Sequence, residues 1–245
     1  MMPPAVLDHV SIAVSRARPA WPLLRAQLGG EWAISGDAPG FRFSTLRYAN
    51  GMCLELLEPH RTDENPFVAR FLDTGPGLHH LTFKVPDLLA AVEAATRAGY
   101  PCFGVRTVDP SWQEAFIHPK VAGGTLVQLA QAGPAPLPPP PDDLPPAGAT
   151  TAALRAVAWQ ATDPARAVGL LRLLGGQVTG ITGGAPTDVA FRGPGVRIRV
   201  CPPGAEPSPA RLEFTGADPV TRVAYAGGAG IPFRDPYLGV DIVLT

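Results

Sequence analysis

Four polar side chains stand in segments whose neighbours are apolar: His9 in LDHVSIAV, Glu55 in MCLELLEP, His80 in LHHLTFKV and Gln128 in GTLVQLAQ. A core strand favours Val or Leu at such places, because a buried polar group without a partner costs roughly 1–3 kcal/mol. Two imidazoles, one carboxylate and one amide oxygen form a donor set for a borderline divalent cation such as Co, Ni, Zn, Fe or Mn. Four such ligands leave two positions of an octahedron to a substrate, which the metal can polarise at a carbonyl or hold as a chelate. A bland alternative stands beside this for each residue. A single His in an apolar strand is commonly a hydrogen-bonded core group, and a buried amide can be satisfied by the backbone. Glu58 lies three residues beyond Glu55, and His79 lies next to His80, so both fall on the opposite faces of their strands, Glu58 toward solvent.

The elements that must carry these residues follow from hydrophobic period. Leu7–Val14 and His79–Asp87 alternate as strands. A helix-like stretch follows each: Ala20–Leu28, closed by Gly29 and Gly30, and Asp87–Arg97, closed by Gly99, with Asp87 as N-cap. Strand-like runs come next. Phe41–Tyr48 and Met52–Leu57 flank the hairpin dipeptide Asn50-Gly51, and Ala115–His118 and Thr125–Ala130 flank a turn at Gly123-Gly124. The unit is βαβββ. It recurs, since Leu81–Pro101 aligns without a gap on Leu212–Pro232, and Leu23–Gly36 aligns on Leu170–Gly183. Four units result, the last with room for two strands after its helix. Pairing two units curls their first and last strands round a common cleft, where His9, Glu55, His80 and Gln128 can meet.

A Pro-rich stretch, AGPAPLPPPPDDLPPAGA at 132–149, can run through neither a helix nor a central strand and reads as an extended spacer. The expected organisation is a site-bearing domain over 1–131, a linker over 132–149 and a second domain over 150–245. The second domain carries Ala156 opposite His9, Arg199 opposite Glu55 and Arg211 opposite His80, with the fourth position near Val243. It reads as a degenerate copy without metal ligands. Its two arginines are suited to an anionic group or to a structural role.

The chain has 245 residues, 46% of them hydrophobic, enough for real cores. A net charge of −1 with no Lys/Arg run argues against nucleic acid or an anionic membrane as partner. Cys53, Cys102 and Cys201 are scattered singly, which suits reduced thiols and a cytoplasmic location. No apolar run is long enough for a spanning helix, and the N-terminus shows no signal-peptide pattern.

With LDHVSIAV, LELLEP, FVARFLDTGPGLHHLTFKVPDL and AFIHPKVAGGTLVQLAQ in place, residues 5–131 resemble the vicinal oxygen chelate superfamily, which includes glyoxalase I, methylmalonyl-CoA epimerase, extradiol dioxygenases and bleomycin-resistance proteins. The look is nearest to the epimerases. The resemblance implies an α+β fold of two tandem domains, each of paired βαβββ modules with curled mixed sheets. It also implies metal ligands at His9, Glu55, His80 and Gln128, and a small-molecule substrate. Domains of this superfamily pair as dimers, so the second domain can stand in for a partner and the chain can be a monomer or a homodimer. Two departures bear on the reaction. The epimerases carry Gln at the place of Glu55 and Glu at the place of Gln128. Their second acid falls near Phe43–Thr45, where this chain has neither Asp nor Glu.

Epimerisation needs a base on each face of the acidic carbon. Glu55 is one candidate and Glu114, just before the Ala115–His118 run, is another, although a loop-end Glu also reads as solvated. The expected function is therefore a metal-dependent isomerase, epimerase or lyase acting on a chelated carbonyl or acyl substrate. The alternatives are an extradiol-type dioxygenase and a non-catalytic binding or resistance protein. Trp21, Trp32, Phe43, Tyr48 and Trp112 are available to line a pocket or to pack.

Overall fold

The structure is a computed structural model describing residues 2–133, 138–180, 186–191, 193–205 and 210–245. The first half of the chain runs β1 (Val6–Ala13), β2 (Glu31–Ala38), β3 (Phe41–Arg47), β4 (Cys53–Pro59), helix α1 (Phe67–Phe71), β5 (Gly77–Lys84), α2 (Leu88–Arg97), β6 (Cys102–Arg106), β7 (Trp112–Ile117), the short α3 (Pro119–Ala122) and β8 (Leu126–Ala132). The second half continues with β9 (Ala153–Gln160), α4 (Pro164–Leu173), β10 (Gln177–Gly180), β11 (Thr187–Ala190), β12 (Arg197–Cys201), β13 (Ala210–Thr215), α5 (Pro219–Ala226), β14 (Pro232–Asp235) and β15 (Val240–Leu244). Among the described residues the strands form an eight-stranded sheet in the order β2-β3-β4-β1-β5-β8-β7-β6 and a seven-stranded sheet in the order β10-β11-β12-β9-β13-β15-β14. Each sheet joins two βαβββ modules, and the last module carries two strands after its helix, as the sequence repeat predicts. The fold class is the expected one: curled mixed sheets built from tandem modules.

Three module helices begin on the same device. Asp87, Asp163 and Asp218 each accept a hydrogen bond from the backbone N–H three residues on, at 2.9–3.0 Å. This satisfies one of the orphan donors of the first turn. Leu88, Ala91 and Ala95 then face the core of α2 at helical spacing, and Gly99, at φ 86°, closes it. The first module differs from expectation. In place of a regular helix over Ala20–Leu28, a 3-10 turn at Arg18–Ala20 leads into a π-helix at Pro22–Gln27, with no side-chain cap at either start. Leu28 N–H reaches back five residues to the Leu23 carbonyl at 2.9 Å. In a regular α-helical ladder the Pro22 ring would press on the Arg18 carbonyl four residues back. The turn between β7 and β8 also gains an element: His118 caps the one-turn helix α3 by accepting from the Lys120 N–H at 3.1 Å.

Contacts divide the chain into two compact units. One comprises Met1–His9, His80–Pro136 and Ala158–Ser208; the other comprises Val10–His79, Leu137–Val157 and Pro209–Thr245. Each unit thus draws strands from both sheets. In the first, Phe83 packs against Phe191 with ring centroids 5.2 Å apart, and Tyr100 Oη donates to the Arg166 carbonyl at 3.0 Å. In the second, Tyr48 packs edge-on against Phe214 at 5.0 Å, and Asn50 Nδ2 donates to the Leu154 carbonyl at 2.7 Å. Residues 134–137 of the Pro-rich stretch lie outside the described residues, and 138–149 form neither helix nor strand. Within the second unit this segment receives a hydrogen bond from Arg25 Nε at the Pro145 carbonyl, 3.0 Å, and places Asp143 against Arg18 at 2.9 Å.

Gly123 and Gly51 give a comparative test. Both hold positive φ, 87° and 80°, a region that costs a residue with a Cβ about 1–2 kcal/mol. A Cβ on Gly51 meets nothing within 4 Å, whereas one on Gly123 would sit 2.5 Å from the Asp163 carbonyl oxygen. Gly123→Ala is therefore expected to lose more stability than Gly51→Ala in urea unfolding. Equal losses would show that this close approach does not exist.

Candidate metal centre

The period of two along each strand decides which side chains share a face. On β1, His9 and Ser11 project together, and on β5, His80 and Thr82 do. The parallel β5–β8 register sets Thr82 beside Gln128, and the antiparallel β7–β8 register sets Phe116 beside Gln128 and Glu114 beside Ala130. Polar groups from β1, β5, β7 and β8 thereby come to one face. His9, His80 and Gln128 are each only 5–6% exposed.

His9, Glu55 and His80 each offer one ligand atom, and these atoms all lie within 4.8 Å of one another. The His9 ring meets the His80 ring edge-on at 5.9 Å and lies at 28° to the Trp112 ring at 6.4 Å. His9 Nδ1 donates to Asp8 Oδ2 at 2.8 Å, and Lys84 Nζ holds the other Asp8 oxygen at 2.9 Å. Because a carboxylate only accepts, this bond places a hydrogen on Nδ1, so that the neutral ring carries its lone pair on Nε2. Burial pushes the Asp8 carboxyl up, but the hydrogen bonds from His9 and Lys84 outweigh it and hold Asp8 below the usual carboxylate range. Glu55 Oε2 accepts from the Ser11 hydroxyl at 2.6 Å. The ligand-type atoms are thus oriented by neighbours one step further out.

Gln128 stands on the same face with its amide bonded at both ends. Its Oε1 accepts from the Thr82 hydroxyl at 2.7 Å, and its Nε2 donates to Glu114 Oε2 at 2.8 Å. Glu114 is not the loop-end residue the sequence suggested. It lies within β7, and its carboxylate also accepts from Trp112 Nε1 at 3.1 Å and pairs with Arg106 at 2.8 Å. Asp8, Ser11, Thr82 and Arg106 were not singled out from the sequence. Ser11 and Thr82 were discoverable, each lying two residues beyond a candidate histidine.

His79 leaves this face and is buried, its ring edge-on to Phe67 at 5.2 Å and to Phe71 at 4.9 Å. Burial pushes its imidazole down to about 4, against a smaller upward pull from Glu55. Glu58 accepts from the Ala17 N–H at 2.7 Å rather than pointing wholly into solvent. At the corresponding positions of the seven-stranded sheet, Ala156 is buried, Arg199 forms a two-point pair with Asp188 at 2.7 and 3.0 Å, and Arg211 approaches Asp241 at 3.7 Å. Both arginines are engaged in ion pairs within the chain. Trp21 and Trp32 meet edge-on at 6.2 Å and, with Phe43, line a cavity of about 390 Å³, buried Tyr48 donates to the Leu24 carbonyl at 3.3 Å and packs, and Trp112 borders the candidate centre. Cys53 and Cys201 are buried and Cys102 is half-buried. No helix among the described residues is long and apolar enough to cross a membrane.

The chain thus joins βαβββ modules in pairs and gathers two histidines and a carboxylate within reach of one another. The chain belongs to the glyoxalase/bleomycin resistance protein/dioxygenase superfamily, whose family model matches residues 8–116. It is 34% identical over 134 residues to the ethylmalonyl-CoA/methylmalonyl-CoA epimerase of Cereibacter sphaeroides, an alignment covering 51% of this chain and 96% of that one. The crystal structure of methylmalonyl-CoA epimerase from Mycobacterium tuberculosis aligns with 30% identity and a TM-score of 0.46, covering 52% of this chain and 88% of that chain. A mutant of 4-hydroxymandelate synthase from Streptomyces coelicolor matches 91% of this chain and 74% of its own, with a TM-score of 0.61 and 19% identity. That last likeness is one of fold and extends over both sheets.

His79 yields a pH prediction. Its folded value, about 4, lies below the ordinary 6.5, so the unfolded chain takes up a proton first as pH falls. The stability the neutral buried ring contributes is present above pH 6.5 and is lost toward pH 4, by about 3 kcal/mol at roughly 1.4 kcal/mol per unit. In chelator-treated protein, unfolding free energy should fall less steeply between pH 7 and 4 for His79→Leu than for the wild type. Parallel curves would show that His79 is not a buried neutral imidazole.

Proposed function

We propose that the chain is a metal-dependent isomerase, epimerase or lyase acting on a small acyl or carbonyl substrate, with His9, Glu55 and His80 as ligands of one divalent cation. The observation that carries this is the gathering of their three ligand atoms within 4.8 Å on strands otherwise apolar. Two imidazole nitrogens and a carboxylate fit Co, Ni, Zn, Fe or Mn. When bound, such an ion supplies Lewis-acid polarisation of a substrate oxygen.

The residues around it have distinct tasks. Asp8 keeps the His9 tautomer that offers Nε2. Ser11 fixes one oxygen of Glu55. Glu55 is the carboxylate best placed to take a proton from a carbon acid, because the Glu114 carboxylate already accepts from three donors. The β3 positions Phe43–Thr45 bring no second acid. Reactions served by a single base therefore fit this chain better than transfer between two opposed carboxylates. The relative from Cereibacter sphaeroides points to malonyl-type thioesters as first substrates to try. We further propose that residues 1–131 carry this activity and that 150–245 form a degenerate copy holding no metal.

Metal analysis is the primary test. The wild type should hold about one divalent ion per chain, and His9→Ala, His80→Ala and Glu55→Ala should lose it. Metal content unchanged in both histidine variants would end this reading. Asp8→Asn should keep the fold and weaken metal affinity about 10–100-fold. Incubating methylmalonyl-CoA or ethylmalonyl-CoA in deuterated water should show metal-dependent exchange of the acidic C–H by NMR, lost in Glu55→Gln. The donor set also favours a second reading, since two histidines and one carboxylate suit an Fe(II) oxygenase. Oxygen uptake with catechols by the Fe(II)-loaded protein, without C–H exchange, would establish that reading in place of the first.

A further inference from the structure

We propose that Glu114 is a positioning residue: it fixes the Gln128 amide so that its oxygen, not its nitrogen, is offered beside the His80 strand as a neutral fourth donor. This rests on the reading of His9, Glu55 and His80 as metal ligands. An amide alone has no preferred sense, since its oxygen and nitrogen exchange on a half-turn of the terminal torsion. Glu114 removes that freedom. Its carboxylate has no hydrogen to give, and it is held by Arg106 at 2.8 Å and Trp112 Nε1 at 3.1 Å. Only the amide nitrogen can meet it, which it does at 2.8 Å. The oxygen is then forced to the other side. There one lone pair takes the fully buried Thr82 hydroxyl at 2.7 Å, and the second lone pair is left for another partner.

The arrangement explains how an amide can occupy the last-strand position without being an ambiguous donor. The carboxylate stands one strand over from Gln128, on β7, and acts through the amide rather than directly. Glu114 lies outside the group of ligand atoms within mutual reach, which matches a supporting role. Its ion pair with the half-exposed Arg106 holds it in place from the solvent side.

The test is a Co(II) titration of the full-length, chelator-stripped protein, followed by calorimetry and by visible absorption of the bound ion. Glu114→Gln, which can both accept and donate and so no longer dictates the amide's sense, should weaken Co(II) binding about 10–100-fold and shift the absorption bands. In a Gln128→Ala background the same substitution should have no further effect, because the role is carried through Gln128. Wild-type affinity and spectrum in Glu114→Gln, or an equal loss in both backgrounds, would overturn the proposal. If Glu114→Gln does not fold, Glu114→Asp, which withdraws the charge by one methylene, takes its place with the same expectations. His80→Ala in the same titration separates the two levels. Undiminished binding there removes the metal-site reading itself, whereas loss there with no effect at Glu114 removes only the positioning role.

Discussion

A polar group taken out of water must find a partner, and the eight-stranded sheet is organised round that requirement. One of its faces carries two imidazoles, carboxylates, hydroxyls and an amide among strands that are otherwise Val, Leu and Ile. The structure meets the cost by chains of donors and acceptors. Lys84 holds Asp8, which holds His9; Ser11 holds Glu55; Thr82, Gln128, Glu114, Trp112 and Arg106 form a third chain. In each the outer member is a charged or hydroxyl group and the inner member offers an atom suited to a cation. The same bonds that make burial tolerable also fix tautomers and amide sense. Satisfaction of buried groups and their orientation therefore come from one set of contacts.

Much of this was legible in the chain, for reasons that can be named. The βαβββ repeat showed because each module repeats a helix start, an apolar period and a glycine stop. His9, Glu55, His80 and Gln128 showed because polar residues interrupt apolar strands. The outer members were harder. Ser11 and Thr82 look like ordinary strand residues until the period of two is followed from a histidine. Arg106 and Trp112 reach Glu114 only through the pairing of β6, β7 and β8, and cross-strand register is not written in a single sequence. Glu114 itself was misplaced because Trp112-Gln113-Glu114 lacks the apolar alternation that marks a strand. The first helix was misjudged in geometry, not in place: Pro19 and Pro22 advertise a disturbance, but not that it resolves as a π-turn.

The two sheets show what becomes of such a face when its chemistry changes. Where the first sheet has His9, Glu55 and His80, the second has Ala156, Arg199 and Arg211. Its arginines are engaged by Asp188 and Asp241. Arg199 holds Asp188 well below the ordinary carboxylate range, against the upward push of burial. On that face opposite charges satisfy one another.

The division into units has a consequence for how the gene can change. Each unit takes modules from both halves of the chain, so Phe83 relies on Phe191 and Tyr48 on Phe214. Cutting the chain at its Pro-rich stretch would bare apolar surface in both units at once. The second half thus supplies packing partners to the first in each unit.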